Sequence, residues 1–263
     1  MRFLILPLAL LLAASLPAHA AGLPDTGQDT CYSGVAAFSA ADGVAASDAA
    51  SVAGDAGSYP RQDCRYGRDP AATAAALAKT GAGAKGFDYT KIANNGSTLA
   101  AGAALGANAG DWACTRDNIT GLTWEVKTTS GLRNKDSTYT WYNSDGATNG
   151  GAAGTANGGT CSDGSGCDTE KFVADVNLAA LCGYADWRMP TPRELLTLVH
   201  AGAVSPAIDT AYFPNTLASF FWSASAKAND SSFAWRVHFD DGAVGTSMKV
   251  FLFYVRLVRG GSF

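Results

Sequence analysis

The sequence predicts an α+β fold of twisted antiparallel strands and two main helices, preceded by an irregular segment rich in alanine and glycine. Three observations carry this expectation: the placement of the large apolar residues, runs that alternate with a period of two, and two stretches that open with helix-start residues. From Cys31 to Gly110 only nine of eighty residues are Leu, Ile, Val or Phe, below what a segment usually needs to bury a core of its own. All six tryptophans fall at or after Trp112. The expected division is therefore 1–20, 21–110 and 111–263, with the fold in the last part.

Residues 1–20 read as a cleavable export signal. Arg2 supplies the positive end, residues 3–16 the apolar run, and Ala18-His19-Ala20 a small-x-small cleavage site. An uncleaved anchor is the competing reading, but the run is shorter than the roughly 20 residues a bilayer demands and contains Pro7. The chain is expected to be exported and not membrane-spanning: periplasmic, secreted or cell-surface-associated. Leu23-Pro24-Asp25-Thr26-Gly27 has the form of a sortase signal but lies at the wrong end of the chain.

Without Arg2, 18 Lys+Arg face 23 Asp+Glu, a net charge near −5. That balance lacks the positive footprint that phosphate-backbone binding needs, so nucleic acid is not an expected partner. Six cysteines in an oxidising compartment favour three disulfides. Zinc is the competing use, but there is no C-x-x-C, and neither His200 nor His238 stands at ligand spacing from a cysteine. The expected pairs are Cys161 with Cys167, argued from proximity, Cys114 with Cys182, and Cys31 with Cys64.

After the turn-forming residues 117–121, Leu122, Trp124 and Val126 alternate with Thr123, Glu125 and Lys127, the pattern of a half-buried strand. From Asp168, the residues Phe172, Val173, Val176 and Ala180 recur at helical spacing, and Gly183 is the expected C-cap. Thr191, Pro192 and Glu194 form a capping box that opens a second helix, with His200 as a polar residue at its end. Residues 220–225 read as a strand. Phe233, Trp235, Val237 and Phe239 then alternate with Ala234, Arg236, His238 and Asp240; Asp241-Gly242 offers a hairpin turn, and residues 255–259 a last strand.

Five blocks occur in a fixed order: residues 117–125 (Asp-Asn-Ile-Thr-Gly-Leu-Thr-Trp-Glu), 183–191 with Glu194-Leu195, 208–214, Phe221-Trp222-Ser223, and 254–260. With these blocks the chain resembles the Lcl C-terminal domain family, named for the Legionella collagen-like adhesin, over roughly residues 111–260. The resemblance implies a C-type-lectin-like fold, related to that of the formylglycine-generating enzymes. It also implies extracellular binding, since characterised members include adhesins for sulfated polysaccharides. Trp187, Trp222 and Trp235 are expected to fill the core, and Arg188, Arg256 and Arg259 to pair with Asp186, Glu194 or Asp209.

The candidate binding site lies where the pattern breaks. Residues 245–254 follow neither a period of two nor a helical stripe; a strand buried on both faces and an exposed contact loop both fit. Some members of the family resemble targets of diversity-generating retroelements, which rewrite adenines in a C-terminal segment. Together these assign ligand contacts to Arg236, His238, Asp240, Asp241, Thr246, Ser247, Val250, Phe251, Leu252 and Phe253, facing a polysaccharide or protein. No cofactor is assigned, and metal is left unassigned because no loop has acidic residues at EF-hand spacing. An enzyme is not expected: formylglycine generators use a late cysteine pair, and nothing after Cys182 is a cysteine. Ser223, His238 and Asp240 lack a nucleophile-elbow context. A structural envelope protein with an Ala/Gly-rich spacer is the alternative.

Overall fold

A computed structural model describes residues 25–28, 30–32, 37–39, 68–161 and 166–261. The export signal and the Cys31–Cys64 pairing lie outside the described residues. The chain order is β1 (Thr30–Tyr32), β2 (Ala37–Ser39), α1 (Arg68–Thr73), β3 (Tyr89–Ala93), β4 (Thr98–Leu99), β5 (Trp112–Asp117), β6 (Thr123–Glu125), β7 (Gly159–Thr160) and β8 (Gly166–Cys167). Then come α2 (Thr169–Leu178), α3 (Pro192–Leu196), β9 (Phe220–Ala226), β10 (Phe233–His238), β11 (Val244–Met248) and β12 (Val258–Arg259). All named strand pairs are antiparallel, which fits an α+β class.

A five-stranded sheet has the order β12-β6-β5-β3-β4 and a three-stranded sheet the order β11-β10-β9. The expected boundary at residue 111 falls inside the larger sheet, because β3 and β4 come from the segment expected to be irregular. A census of branched aliphatics misses what fills this region. Tyr89 is fully buried, and Lys91 lays its stem inward, with its ammonium 3.8 Å from the Trp112 ring centroid and donating to the Ala103 carbonyl.

β6 corrects the half-buried reading. Thr123, Glu125 and Lys127 are buried as fully as Leu122, Trp124 and Val126, since β6 lies between β5 and β12 with packed side chains on both faces. Glu125 and Lys127 survive there as an ion pair at 2.8 Å, with the second Glu125 oxygen accepting from the Leu257 amide.

α2 is capped by Asp168, whose carboxylate accepts from Lys171 N, but it stops at Leu178 rather than running to Gly183. Ala180 and Cys182 take left-handed φ values of 47° and 53°. Two neighbours hold them: the disulfide from Cys182 to Cys114, and Asn177, whose amide pairs with both backbone groups of Trp187 at 2.7 and 2.8 Å. Cys161 pairs with Cys167, their Cα atoms 5.8 Å apart. The Thr191 capping box is present, with Pro192 in the first turn, although α3 is only five residues long. His200 is buried against Phe87 and accepts from the Gly202 amide.

The C-terminal segment joins the two sheets. Phe253 exchanges backbone hydrogen bonds with Tyr139, Tyr254 bonds Phe220 and Trp222, and Val258 pairs with Arg188 and with β6. The three-stranded sheet lies between two cores. One contains Trp141, Phe172, Trp187, Trp222 and Ala234. The other contains Tyr89, Trp124, Phe213, Phe221, Val237 and Phe239.

Candidate ligand-binding surface

β9 bulges against β10. Ala226 pairs with Ala234 and Trp222 with Arg236, so three residues of β9 oppose Trp235 alone. The bulge frees the Ala224 amide to reach the Pro190 carbonyl at 2.7 Å, while Ser223 Oγ donates to the Trp235 carbonyl that the ladder leaves over. Trp187 and Trp222 fill the core as expected. Trp235 does not, and lies on the exposed end of the sheet.

On the face of β10 that carries Arg236 and His238, Phe220 is the hub. The Arg236 guanidinium lies 3.6 Å from its ring centroid and the His238 ring stacks on it at 4.2 Å. Phe253 packs on Phe220 at 5.0 Å and on Trp222 at 4.7 Å. Arg236 Nε donates to Ser247 Oγ at 2.7 Å, which fixes the plane of the guanidinium. Among the described residues no carboxylate forms an ion pair with it. His238 Nδ1 lies 3.2 Å from Asp241 Oδ1. The Asp241 carboxyl is held below its ordinary range, first by the Ala243 amide and further by His238.

The apolar tip follows β11. Phe251 N bonds the Met248 carbonyl and closes a turn, leaving Val250, Phe251 and Leu252 exposed at 50%, 49% and 45%. Both ends of the tip are tied down: Lys249 is buried on one side, and Phe253 pairs with Tyr139 on the other. Residues 245–254 are thus neither a strand buried on both faces nor a free loop. The first half is edge strand, on which Met248 is also exposed, and residues 250–252 project beyond it.

The ten expected contacts divide. Arg236, His238, Ser247 and Phe253 meet around Phe220, and the residues 250–252 project beside them, with Phe251 and Phe253 rings 6.1 Å apart. Thr246 faces the other side of the sheet, opposite Trp235. Asp240 turns away to bond Ser205, and Asp241 joins only through His238. Phe220 and Lys249 were missed. The adjacent Phe220-Phe221 pair at a strand start was the available sign of the first, since alternation must turn one ring outward. Ser223, His238 and Asp240 bond other partners, not one another.

The other arginines are structural. Arg188 grips Glu194 in a bidentate pair at 2.9 and 2.6 Å, and Arg259 grips Asp186 at 2.7 and 3.1 Å. Arg256 departs from expectation: it is fully buried and donates to the Glu125 carbonyl and Thr216 Oγ1, while Asp209 accepts from the Ala84 and Ala211 amides. Among the described residues no helix is long and apolar enough to cross a membrane, and no three His, Cys, Asp or Glu side chains are grouped to hold a metal.

No match to the chain was found among curated proteins or solved structures. The family model of the Lcl C-terminal domain matches residues 113–259, which hold the three-stranded sheet, α2, α3, the tip and strands β5, β6 and β12 of the larger sheet, but not β3 and β4. Membership and the Cys114–Cys182 disulfide are compatible with an exported or surface-associated protein. On the match over more than half its length, the chain belongs to the Lcl C-terminal domain family.

Proposed function

We propose that this protein is an exported recognition module of C-type-lectin-like architecture that binds a polysaccharide or protein ligand and performs no chemistry on it. The observation that carries the reading is an apolar tip, Val250 to Leu252, held out between two fixed ends beside a guanidinium with no carboxylate partner among the described residues. Exposed apolar side chains next to an oriented Arg form the kind of patch that buries on a partner: the aliphatic and aromatic groups supply area, and Arg236 supplies charge-assisted hydrogen bonds. Pre-fixed ends reduce the ordering cost on binding.

The test is a panel of immobilised sulfated and neutral polysaccharides and extracellular matrix proteins, probed with wild type and Arg236→Gln. Binding by wild type that weakens at least roughly tenfold in the variant supports the reading. Binding that ignores the substitution, or no binding to any surface, counts against it. If the tip is rewritten by a retroelement, a near-copy of its coding segment with adenines at the tip codons, and a reverse transcriptase, lie beside the gene.

A further inference from the structure

Between the first turns of α2, residues 141–143 and the bulge of β9 lies a cavity of about 160 Å³. The bulge helps to make it. With its amide drawn to the Pro190 carbonyl at 2.7 Å, Ala224 leaves the ladder and shares the lining with Met189, and it fills its place with a methyl group only. Val173 from α2 and Trp141 complete the apolar part. Neither the tip nor the Phe220 cluster contributes a residue.

The polar rim decides what can enter. Thr169 Oγ1 accepts from the Tyr142 amide at 2.9 Å and donates to the Tyr142 carbonyl at 2.7 Å, so this hydroxyl is spent. The Asn143 carboxamide is engaged at both ends, by Thr148 and by the Asp145 amide. A sugar ring would therefore leave several hydroxyls unpaired, at a cost of about 1–3 kcal/mol each. Glu170 is different. Its oxygens accept from Ser144 N at 2.7 Å and from Ser144 Oγ at 2.9 Å, which fixes the carboxylate between α2 and the 143–144 segment with lone pairs to spare. It is the only charged side chain in the lining. The cations nearest the lining in sequence are committed elsewhere, Lys171 to Asp175 and Arg188 to Glu194. The positive end of α2 calls for no further anion, because Asp168 caps it and Glu170 lies in its first turn.

We propose that this cavity binds a small organic ammonium, its apolar body against Trp141, Val173, Met189 and Ala224 and its cation on Glu170. Size selects the body: an apolar cavity of about 150 Å³ holds one benzene ring. A free arylalkylamine and the N-terminal residue of a polypeptide share this chemistry, a compact side chain beside a charged amine. The site does not depend on what the tip binds.

The experiment is an NMR titration of the isotope-labelled protein with phenethylamine near neutral pH. Saturable shifts in residues 141–143 and 169–173 are expected, with a Kd of about 1 mM or tighter for a ligand this small. Glu170→Gln keeps an acceptor for Ser144 and removes the charge; it is expected to weaken binding at least roughly fivefold with an unchanged thermal midpoint. Ala224→Leu fills the cavity and is expected to abolish the shifts; if it does not fold, Glu170→Gln, on the exposed rim, decides alone. Phenylethanol, which has the same body without the charge, is expected to bind wild type as weakly as phenethylamine binds Glu170→Gln. The tripeptide Phe-Gly-Gly distinguishes the sources: affinity equal to that of phenethylamine and lost on N-acetylation assigns a polypeptide terminus, and binding of phenethylamine alone assigns a free amine. No saturable shift at tens of millimolar, phenylethanol that binds as well as the amine, or Glu170→Gln that binds like wild type overturns the inference.

Discussion

The ammonium of Lys249 lies 4.2 Å from the centroid of the Trp141 ring and donates to the carbonyls of Asn149 and Ala152 at 2.8 and 2.6 Å. Burial lowers its pKa, and three carbonyl or ring faces replace water around it. The residue just before the exposed tip is thereby pinned to the 143–154 loop. Gly154 packs so closely on Trp141 and the Lys249 stem that a side chain there would meet the Trp141 carbonyl.

Replacing Lys249 with Met keeps the stem and removes the donors. Two loop carbonyls lose their partner, and the expected loss of stability is about 1–3 kcal/mol. Faster amide exchange in residues 143–154 and in the tip, by mass spectrometry, is the accompanying signature. Unchanged exchange would mean that the loop is held by other contacts.

Lys127 gives stability a pH dependence of defined sign. Burial lowers its pKa from 10.5 to about 8 despite the Glu125 carboxylate. Below pH 8 it is charged both folded and unfolded. Between 8 and 10.5 the folded chain has released a proton that the unfolded chain keeps, so stability rises with pH, by at most about 1.4 kcal/mol per unit. Tyr89, whose pKa burial raises, opposes this above its ordinary value of 10. Urea titrations at pH 7.5 to 10 on wild type and Lys127→Met isolate the lysine: the stability of wild type minus that of the variant should rise with pH across this window. A constant difference would rule out the deprotonation.

Where a local chemical rule sufficed, the sequence was legible. Thr191, Pro192 and Glu194 built the capping box they spell, and Asp168 capped α2. What failed depended on distant partners. Trp235 alternates correctly in sequence, yet its end of the sheet extends past the core, and the bulge in β9 is invisible in β10. Gly183 follows a helical stripe, but Asn177 and the Cys182 disulfide end the helix earlier. At the site, the break in periodicity located the tip, while Phe220 lies sixteen residues before Arg236 and joins it only through the fold.

The Cys114–Cys182 bridge closes 68 residues and ties β5 to the end of α2. The loop it removes from the unfolded chain is worth about 4 kcal/mol on the chain-entropy model. Double substitution to Ala should lower the thermal midpoint by several degrees or more. A midpoint unchanged by the substitution would show that the bridge is dispensable.

Thr191→Ala removes the oxygen that accepts from Glu194 N at 3.2 Å, and frees Glu194 from half of its box. The expected cost is about 1 kcal/mol, read by urea denaturation. Thr191→Ser, which keeps the hydroxyl, should lie close to wild type.

The central claim is that the projecting tip makes the contact. Phe253 is unsuited to test it, because its ring packs on Trp222 and Phe220 and its removal opens a cavity. The direct measurement is surface plasmon resonance of wild type and the double variant Phe251→Ala/Leu252→Ala against whichever immobilised polysaccharide or matrix protein wild type binds. The account predicts affinity at least roughly thirtyfold weaker with an unchanged thermal midpoint. Equal affinity in a folded double variant would contradict it.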